Sequence, residues 1–324
     1  MNFPQVIDAN LNRAAEGLRV IEEYTRFIAG HQPLSQALAV IRKAILAQCS
    51  DQSSLLNSRD TNKDMRAKEA PPKRAELSDL LAANFKRVTQ ALRVLEEYTG
   101  NPQFNQYRYD CYDLEKQICL RALKPVIKPG IYLISDDVSV LKQGVDWGVQ
   151  LIQLRDKDGD KKQRYEKALA LSKYAKGSQT LFIVNDDVDI GMLVDASGVH
   201  VGQNELGTPA IRSLIGPHKI IGRTTHSLEQ GQAAAADGAD YVSVGPLWET
   251  PSKPGREGIG LSYLKEVSAS LSLPFVAIGG IDESRAESLL PYQPYLIGLI
   301  RHYKAIPKLQ KMYKKTWSSL ETRA

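Results

Sequence analysis

Apolar side chains in the first 128 residues recur at three- and four-residue steps. Between residues 10 and 28, Leu11, Ala14, Ala15, Leu18, Ile21 and Ile28 share one stripe, the period of an amphipathic helix. Residues 36–49, 77–99 and 112–123 repeat the pattern, and no alternating run interrupts them. The spacing therefore predicts an all-α segment over residues 1–128. Past Lys124-Pro-Val-Ile-Lys-Pro-Gly130 the pattern changes. Short apolar runs appear at 131–135, 151–154, 181–184, 199–201, 219–222, 241–244, 275–278 and 295–300, most of them separated by helical stretches such as 163–175, 228–237 and 262–270. Eight strands alternating with helices predict an α/β fold, a compact (β/α)8 TIM barrel over residues 129–324. The third and fourth runs lie close together, so the helix between them (187–194) must be short.

The helical segment carries an internal repeat. Ala9-Asn-Leu-Asn-Arg-Ala-Ala-Glu-Gly-Leu-Arg-Val-Ile-Glu-Glu-Tyr-Thr25 returns as Ala83-Asn-Phe-Lys-Arg-Val-Thr-Gln-Ala-Leu-Arg-Val-Leu-Glu-Glu-Tyr-Thr99, identical at ten of seventeen positions. Two copies are too few for a solenoid and predict two equivalent helices packed together. The shared Asn10/Asn84 and Arg13/Arg87 fit either a phosphate-gripping cleft or a polar network with surface pairs. Between the copies, residues 58–64 and 69–74 have loop composition and fit a ligand-touching loop or a connector.

Composition narrows the class. The chain has 324 residues, 43% hydrophobic and 24% charged, as expected of a globular protein. It holds no run of about 18 apolar residues, the length a membrane helix needs. The first residues lack an apolar signal core, so a cytoplasmic protein without a membrane partner is expected. Cys49, Cys111 and Cys119 are too few and too poorly spaced for a disulfide framework or a zinc site. The net charge of +5 is uneven: +4 over residues 1–128, −5 over 129–300 and +6 over 301–324. Lys304, Lys308, Lys311, Lys314 and Lys315 line one side of a terminal helix, read as a solvated face. No nucleic-acid motif accompanies them, and no nucleic-acid partner is expected.

In a barrel of this kind the chemistry sits where strands end. Gln153-Leu-Arg155-Asp-Lys157 follows the second run, and alternation sends Gln153, Arg155 and Lys157 to one side, where two cations suit a diphosphate. Asn185-Asp186-Asp187 follows the third run, and His200 to Glu205 the fourth. Carboxylates beside phosphate-binding cations point to Mg²⁺, with Asp186 and Glu205 as its ligands; His200, inside a strand, reads as structural. Thr224 ends the fifth run, and Thr250-Pro-Ser252-Lys253 offers hydroxyls and a cation after the sixth. Gly279 and Gly280 follow the seventh, where backbone N–H groups can approach a phosphate. Two anion sites, a metal and no nucleophile–base pair suggest group transfer with diphosphate as leaving group.

Gln153-Leu-Arg-Asp-Lys157, Val184-Asn-Asp-Asp-Val188, Gly198-Val-His-Val-Gly-Gln203, Gly245-Pro-Leu-Trp-Glu-Thr-Pro-Ser-Lys253 and Ala277-Ile-Gly-Gly-Ile281 together resemble the thiamine-phosphate synthase family over about residues 129–300. The resemblance implies a barrel that joins hydroxymethylpyrimidine diphosphate to a thiazole phosphate by a dissociative mechanism. It implies that Gln153, Arg155, Lys157 and Asn185 bind the pyrimidine diphosphate, Asp186 and Glu205 hold Mg²⁺, and Thr224 touches the pyrimidine. Thr250, Ser252, Gly279 and Gly280 would meet the thiazole phosphate, and Lys253 the diphosphate. Arg155, Lys157 and Lys253 would be catalytic. Glu205 stands where Asp is usual, Thr224 where Ser is usual, and Arg301-His302 where small residues often close the last strand. The first half resembles a helical domain preceding the barrel in a subset of bacterial synthases, implying a hydroxymethylpyrimidine phosphate kinase or an interaction domain. Partners are then small-molecule substrates, with a homo-oligomer possible. A thiazole tautomerase and a non-catalytic binding protein on the same barrel are the competing readings.

Overall fold

A computed structural model describes residues 3–48, 52–60, 74–251, 255 and 257–321. The chain forms two compact units, Met1–Leu123 and Lys124–Ala324.

The first unit is helical: α1 (Pro4–Glu23), continued by a π-helical turn Tyr24–Ile28, then α2 (Gln32–Ala47), α3 (Gln52–Asn57), α4 (Leu77–Thr99) and α5 (Gln103–Ala122). The two repeat copies are α1 and α4, and they pack on each other. Leu11, Ala14, Leu18 and Ile21 meet Leu81, Phe85, Val88 and Leu92 in one core. Gly17 permits the close approach, since a Cβ there would stand 2.7 Å from Val88 Cγ2 and 3.2 Å from the Asn84 carbonyl oxygen. The repeated polar residues bond within their own helices and to the neighbouring ones, Glu22 also pairing with Arg42 of α2 at 3.0 Å and Glu96 with Arg108 of α5 at 3.4 Å. Asn10 and Asn84 are buried, and each donates to the carbonyl four residues back, Val6 and Leu80, at 2.8 Å. Arg19 pairs with Glu22 and Glu23, and Arg93 with Glu96 and Glu97. Arg13 and Arg87 are exposed. Of the polar options open in the sequence, the local network with surface pairs is the one seen.

The second unit is a closed barrel of eight parallel strands in sequence order. They are β1 (Gly130–Ser135), β2 (Leu151–Leu154), β3 (Leu181–Asn185), β4 (Gly198–Val201), β5 (Ile220–Thr225), β6 (Tyr241–Val244), β7 (Phe275–Ile278) and β8 (Leu296–Leu299). The helices between and after them are α6 (Val138–Asp146), α7 (Lys161–Ala175), α8 (Val188–Leu193), α9 (Thr208–Ile215), α10 (Leu228–Ala236), α11 (Gly260–Ser270), α12 (Glu283–Ser288) and α13 (Ile306–Glu321). Residues 124–128 go with the barrel: Lys124 Nζ lies 2.6 Å from Asp240, and the Tyr295 hydroxyl donates to the Ile127 carbonyl. α8 is short, as the spacing of its flanking strands requires. β5 runs past the expected Gly222 to Thr225, because residues 223–225 pair in parallel with Val242, Ser243 and Val244 of β6.

Alternation divides each strand between two cores. Tyr132, Ile134, Leu151, Ile183, Ile220, Tyr241, Val276 and Leu296 fill the interior. Ile131, Leu133, Ile152, Val184, Val242 and Ala277 face outward beneath the helices. Side chains start several helices at the strand ends. Asp160 and Gln163 form a reciprocal cap on α7, while Asp137, Ser227 and Asp282 cap α6, α10 and α12. α13 anchors on its apolar side, where Tyr313 and Trp317 stack at 5.0 Å, and its lysines are exposed.

Candidate active site

The inward pattern that fills the barrel with apolar residues turns polar toward the carboxyl ends of the strands. A cavity opens there, lined by Gln153, Arg155, Asn185, Thr224, Thr250 and Gly279 from the expected set. Tyr132, Ile134, His200, Ser243, Pro246, Val276, Ile278 and Ile300 complete it. A second cavity adjoins it and shares Thr250, Ile278, Gly279 and Ile300. Gly280, Arg285, Gly298, Arg301 and His302 line only the second. The two spaces therefore form one bipartite site with a common wall.

Arg155 stands in the first cavity. Burial pushes its guanidinium below the ordinary value, and the carboxylate of Asp186 works against that shift. Asp186 follows β3 in the left-handed region, at φ 59°, which short polar residues tolerate better than most. Its carboxylate accepts from Asn185 Nδ2 at 2.6 Å and from the Gly202 backbone N–H at 3.3 Å. Asp187 turns away to Arg164, at 3.0 Å. Asp156, between the two cations of the β2 end, also turns away. It binds Lys167 at 2.6 Å and accepts from the Gly159 N–H, which pins the β2–α7 loop.

The wall between the cavities depends on glycine. Gly279 has φ 101°, and a Cβ there would lie 2.4 Å from Pro246 Cα. Gly280 has φ 66°, and its Cβ would lie 2.8 Å from Trp248 Cβ. Both are backbone positions that only glycine fills without displacing the loop after β6. Arg285 holds that corner from the other side, donating to the Gly280 carbonyl at 2.7 Å with its guanidinium 5.4 Å from the Trp248 ring centroid.

Known proteins resemble this chain. A thiamine monophosphate synthase family model matches residues 123–300, and the ThiD2 family model matches residues 5–117. A thiamine-phosphate synthase from Synechocystis sp. is 36% identical over 313 residues, covering 92% of this chain and 90% of that protein. One from Synechococcus sp. is 39% identical over 305 residues, covering 87% and 86%. The chain belongs to the thiamine monophosphate synthase family. A solved thiamine phosphate pyrophosphorylase from Pyrococcus furiosus superposes with a TM-score of 0.54 at 29% identity, covering 59% of this chain and 98% of that one. This member of the family is a transferase of thiamine biosynthesis.

Within this synthase family member, the remaining expected residues fall in different places. Lys157 is exposed in the loop after β2 and lines neither cavity. Glu205 is exposed in the β4–α9 loop; burial holds the Arg223 guanidinium below its ordinary value, and the carboxylates of Asp237 and Glu205 work against that shift. Ser252 and Lys253 lie outside the described residues. His200, read from the sequence as structural, lines the first cavity and bonds to Thr224 Oγ1 at 3.0 Å. Tyr132, Tyr241 and Ser243 went unnamed in the sequence, although inward alternation from Gln153 and His200 was a usable signal. Arg301 and His302, which depart from the usual end of the last strand, line the second cavity, and Arg301 gives it a cationic side chain.

Proposed function

We propose that the barrel joins 4-amino-5-hydroxymethyl-2-methylpyrimidine diphosphate to a thiazole phosphate, giving thiamine phosphate and diphosphate. The observation that carries this reading is the bipartite site, with a buried arginine beside a carboxylate in one cavity and a glycine-rich cationic corner in the other. The pyrimidine occupies the first cavity against Gln153 and Thr224, with its diphosphate toward Arg155, Asn185, Lys157 and Lys253. The thiazole phosphate occupies the second, against Thr250, Ser252 and the backbone of Gly279 and Gly280, with Arg301 adding charge.

The donor set suits a hard cation. Asp186 presents a carboxylate held by two hydrogen bonds, and Glu205 offers a second from the next loop. Among the described residues no three His, Cys, Asp or Glu side chains gather as ligands, so Mg²⁺ would take the rest of its shell from diphosphate oxygens and water. When bound, it supplies charge neutralisation of the leaving diphosphate. The chain's own cations do the same work: Arg155, Lys157 and Lys253 stabilise the negative charge that grows as the methylene C–O bond breaks and its electron pair leaves with diphosphate. The apolar walls at Ile134, Val276, Ile278 and Ile300 limit water at the resulting pyrimidine-methyl cation. The thiazole nitrogen lone pair, brought across the common wall, then closes the C–N bond.

Thiamine phosphate formation by the full chain from the two purified substrates tests the reading. Product should appear, fall to background with a chelator, and return with added Mg²⁺. Asp186→Ala should lose this coupling while its circular dichroism is unchanged; equal turnover with and without the chelator would reject the metal site.

For residues 1–128 the reading is a kinase that transfers the γ-phosphoryl of ATP to hydroxymethylpyrimidine phosphate, supplying the barrel's substrate. The match to the ThiD2 family supports it. Incubation of the full chain with ATP and that monophosphate should yield the diphosphate; its absence while the barrel is active would leave the helical unit an interaction domain. Both activities act on small polar metabolites, which supports a cytoplasmic location. No described helix is long and apolar enough to cross a membrane.

A further inference from the structure

A row of hydrogen bonds crosses the floor of the first cavity and links residues on β1, β2, β4, β5 and β6. Gln153 Nε2 donates to the Tyr132 hydroxyl oxygen. The hydroxyls of Tyr132 and Tyr241 are 2.7 Å apart. The Tyr241 hydroxyl lies 3.0 Å from His200 Nδ1, and His200 Nε2 lies 3.0 Å from Thr224 Oγ1. Both phenols are fully buried, and burial raises the proton affinity of each, so both stay as neutral O–H groups.

With Gln153 Nε2 turned toward Tyr132, one order of hydrogens gives every member of the row a partner. The Gln153 amide nitrogen can only donate, so Tyr132 oxygen accepts there. If Tyr241 also donated to Tyr132, the Tyr132 hydrogen would be stranded in the barrel interior, which a buried polar group resists. Tyr132 therefore donates to Tyr241, Tyr241 donates to His200 Nδ1, and a neutral imidazole donates from Nε2 to Thr224 Oγ1. The two ends of the row are then polarised. Gln153 is left with its Oε1 as an acceptor beside its second amide hydrogen, and Thr224 with its hydroxyl hydrogen as a donor, and both residues line the cavity.

We propose that Tyr132, Tyr241 and His200 are positioning residues that fix this acceptor-and-donor pattern and thereby select an aminopyrimidine over its oxo counterpart. An aminopyrimidine offers amino hydrogens to an acceptor and a ring-nitrogen lone pair to a donor. The oxo form reverses both, presenting a carbonyl oxygen and a ring N–H. The identity of the ligand rests on the synthase reading above; the hydrogen order does not.

Two measurements on the full chain separate these claims. Nitrogen-15 labelling of the five histidines, with His200 assigned by its loss in His200→Gln, should show His200 as the neutral Nε2–H tautomer. The Nδ1–H tautomer or an imidazolium at neutral pH would overturn the row. Tyr132→Phe should then release the Gln153 amide to turn over. The preference in kcat/KM for the aminopyrimidine diphosphate over its oxo analogue should fall about tenfold, the worth of one mismatched buried hydrogen bond. KM for the thiazole phosphate should stay within the wild-type range. An unchanged preference would overturn the selecting role. Absence of thiamine phosphate from the wild type would count against the synthase reading alone, because the histidine tautomer is read without turnover.

Discussion

The ring of Tyr241 lies over the imidazole of His200, with centroids 5.5 Å apart and planes 25° from parallel. The two residues sit on β4 and β6, which are not neighbours; β5 runs between them. The β5 residue in register with both is Gly222. A Cβ there would stand 2.1 Å from Tyr241 Cζ and 2.5 Å from His200 Nδ1, so glycine makes the space in which the rings meet. Gly222→Ala is expected to cost about 1–3 kcal/mol of barrel stability, the usual penalty of overpacking. It should also raise KM for the pyrimidine diphosphate, because the row ending at Thr224 is displaced. Thermal unfolding and steady-state kinetics check this; a wild-type melt with wild-type KM would mean that the rings part without cost.

Asp156 shapes the site without facing it. Its hydrogen bond from Lys167, reinforced by the backbone N–H groups of Gly159 and Asp158, holds its carboxyl below the ordinary value of 3.8. A lowered folded value means that the stabilisation is fully present above pH 3.8 and is lost as the pH falls through the folded value. Asp156→Asn should therefore lower stability by about 1–3 kcal/mol at pH 7, the range for hydrogen bonds to a charged group. The gap between wild type and variant should close as the pH is lowered below 3. Urea unfolding midpoints at the two pH values measure it, and a gap that persists in acid would assign the effect to packing instead.

The strands were legible because each is a short apolar run between helical stretches, and their order follows from the chain. Gln153 and Asn185 were legible as well, since alternation within one strand fixes which side chains point inward, and Arg155 keeps that alternation one residue past β2 because its N–H still bonds the Ser135 carbonyl. That logic stops where the strand does. β2 ends at Leu154, and the loop beyond it is set by the Asp156–Lys167 pair, which leaves Lys157 exposed. The Tyr132–Tyr241–His200 row was not legible, because it depends on register between strands distant in sequence, which barrel closure sets. Arg301 and His302 stood out as unusual residues, yet only the geometry puts them at the second cavity.

The helical unit offers a test in which two effects oppose each other. Replacing glycine by alanine inside a helix favours the helix by about 0.8–1 kcal/mol. At Gly17 the added methyl meets Val88 Cγ2 at 2.7 Å and the Asn84 carbonyl at 3.2 Å, and overpacking of that kind costs about 1–3 kcal/mol. The Val88 side chain can rotate; the Asn84 carbonyl belongs to the α4 backbone and moves only with the helix. Gly17→Ala should therefore be destabilising overall, and Gly17→Val more so. The helical unit should unfold earlier in a denaturant titration, while coupling by the barrel is unchanged. A stabilised Gly17→Ala would show that α1 and α4 separate easily.

The two cavities should respond to opposite substitutions. Arg155 lines only the first, where burial strengthens its pull on a diphosphate. Arg155→Ala should raise KM for the pyrimidine diphosphate by about 10–100-fold, as loss of a charge-assisted hydrogen bond does, and lower kcat as well, because the same charge stabilises the departing diphosphate. Arg301 lines only the second cavity and is exposed, so its attraction is screened by water and salt. Arg301→Ala should raise KM for the thiazole phosphate by about 3–10-fold, with kcat nearly unchanged, the signature of lost ground-state binding. Added salt should narrow the Arg301→Ala defect more than the Arg155→Ala defect. Kinetics with each substrate varied in turn decide between the assignments: if Arg155→Ala changes only the thiazole KM, the two cavities hold the opposite substrates.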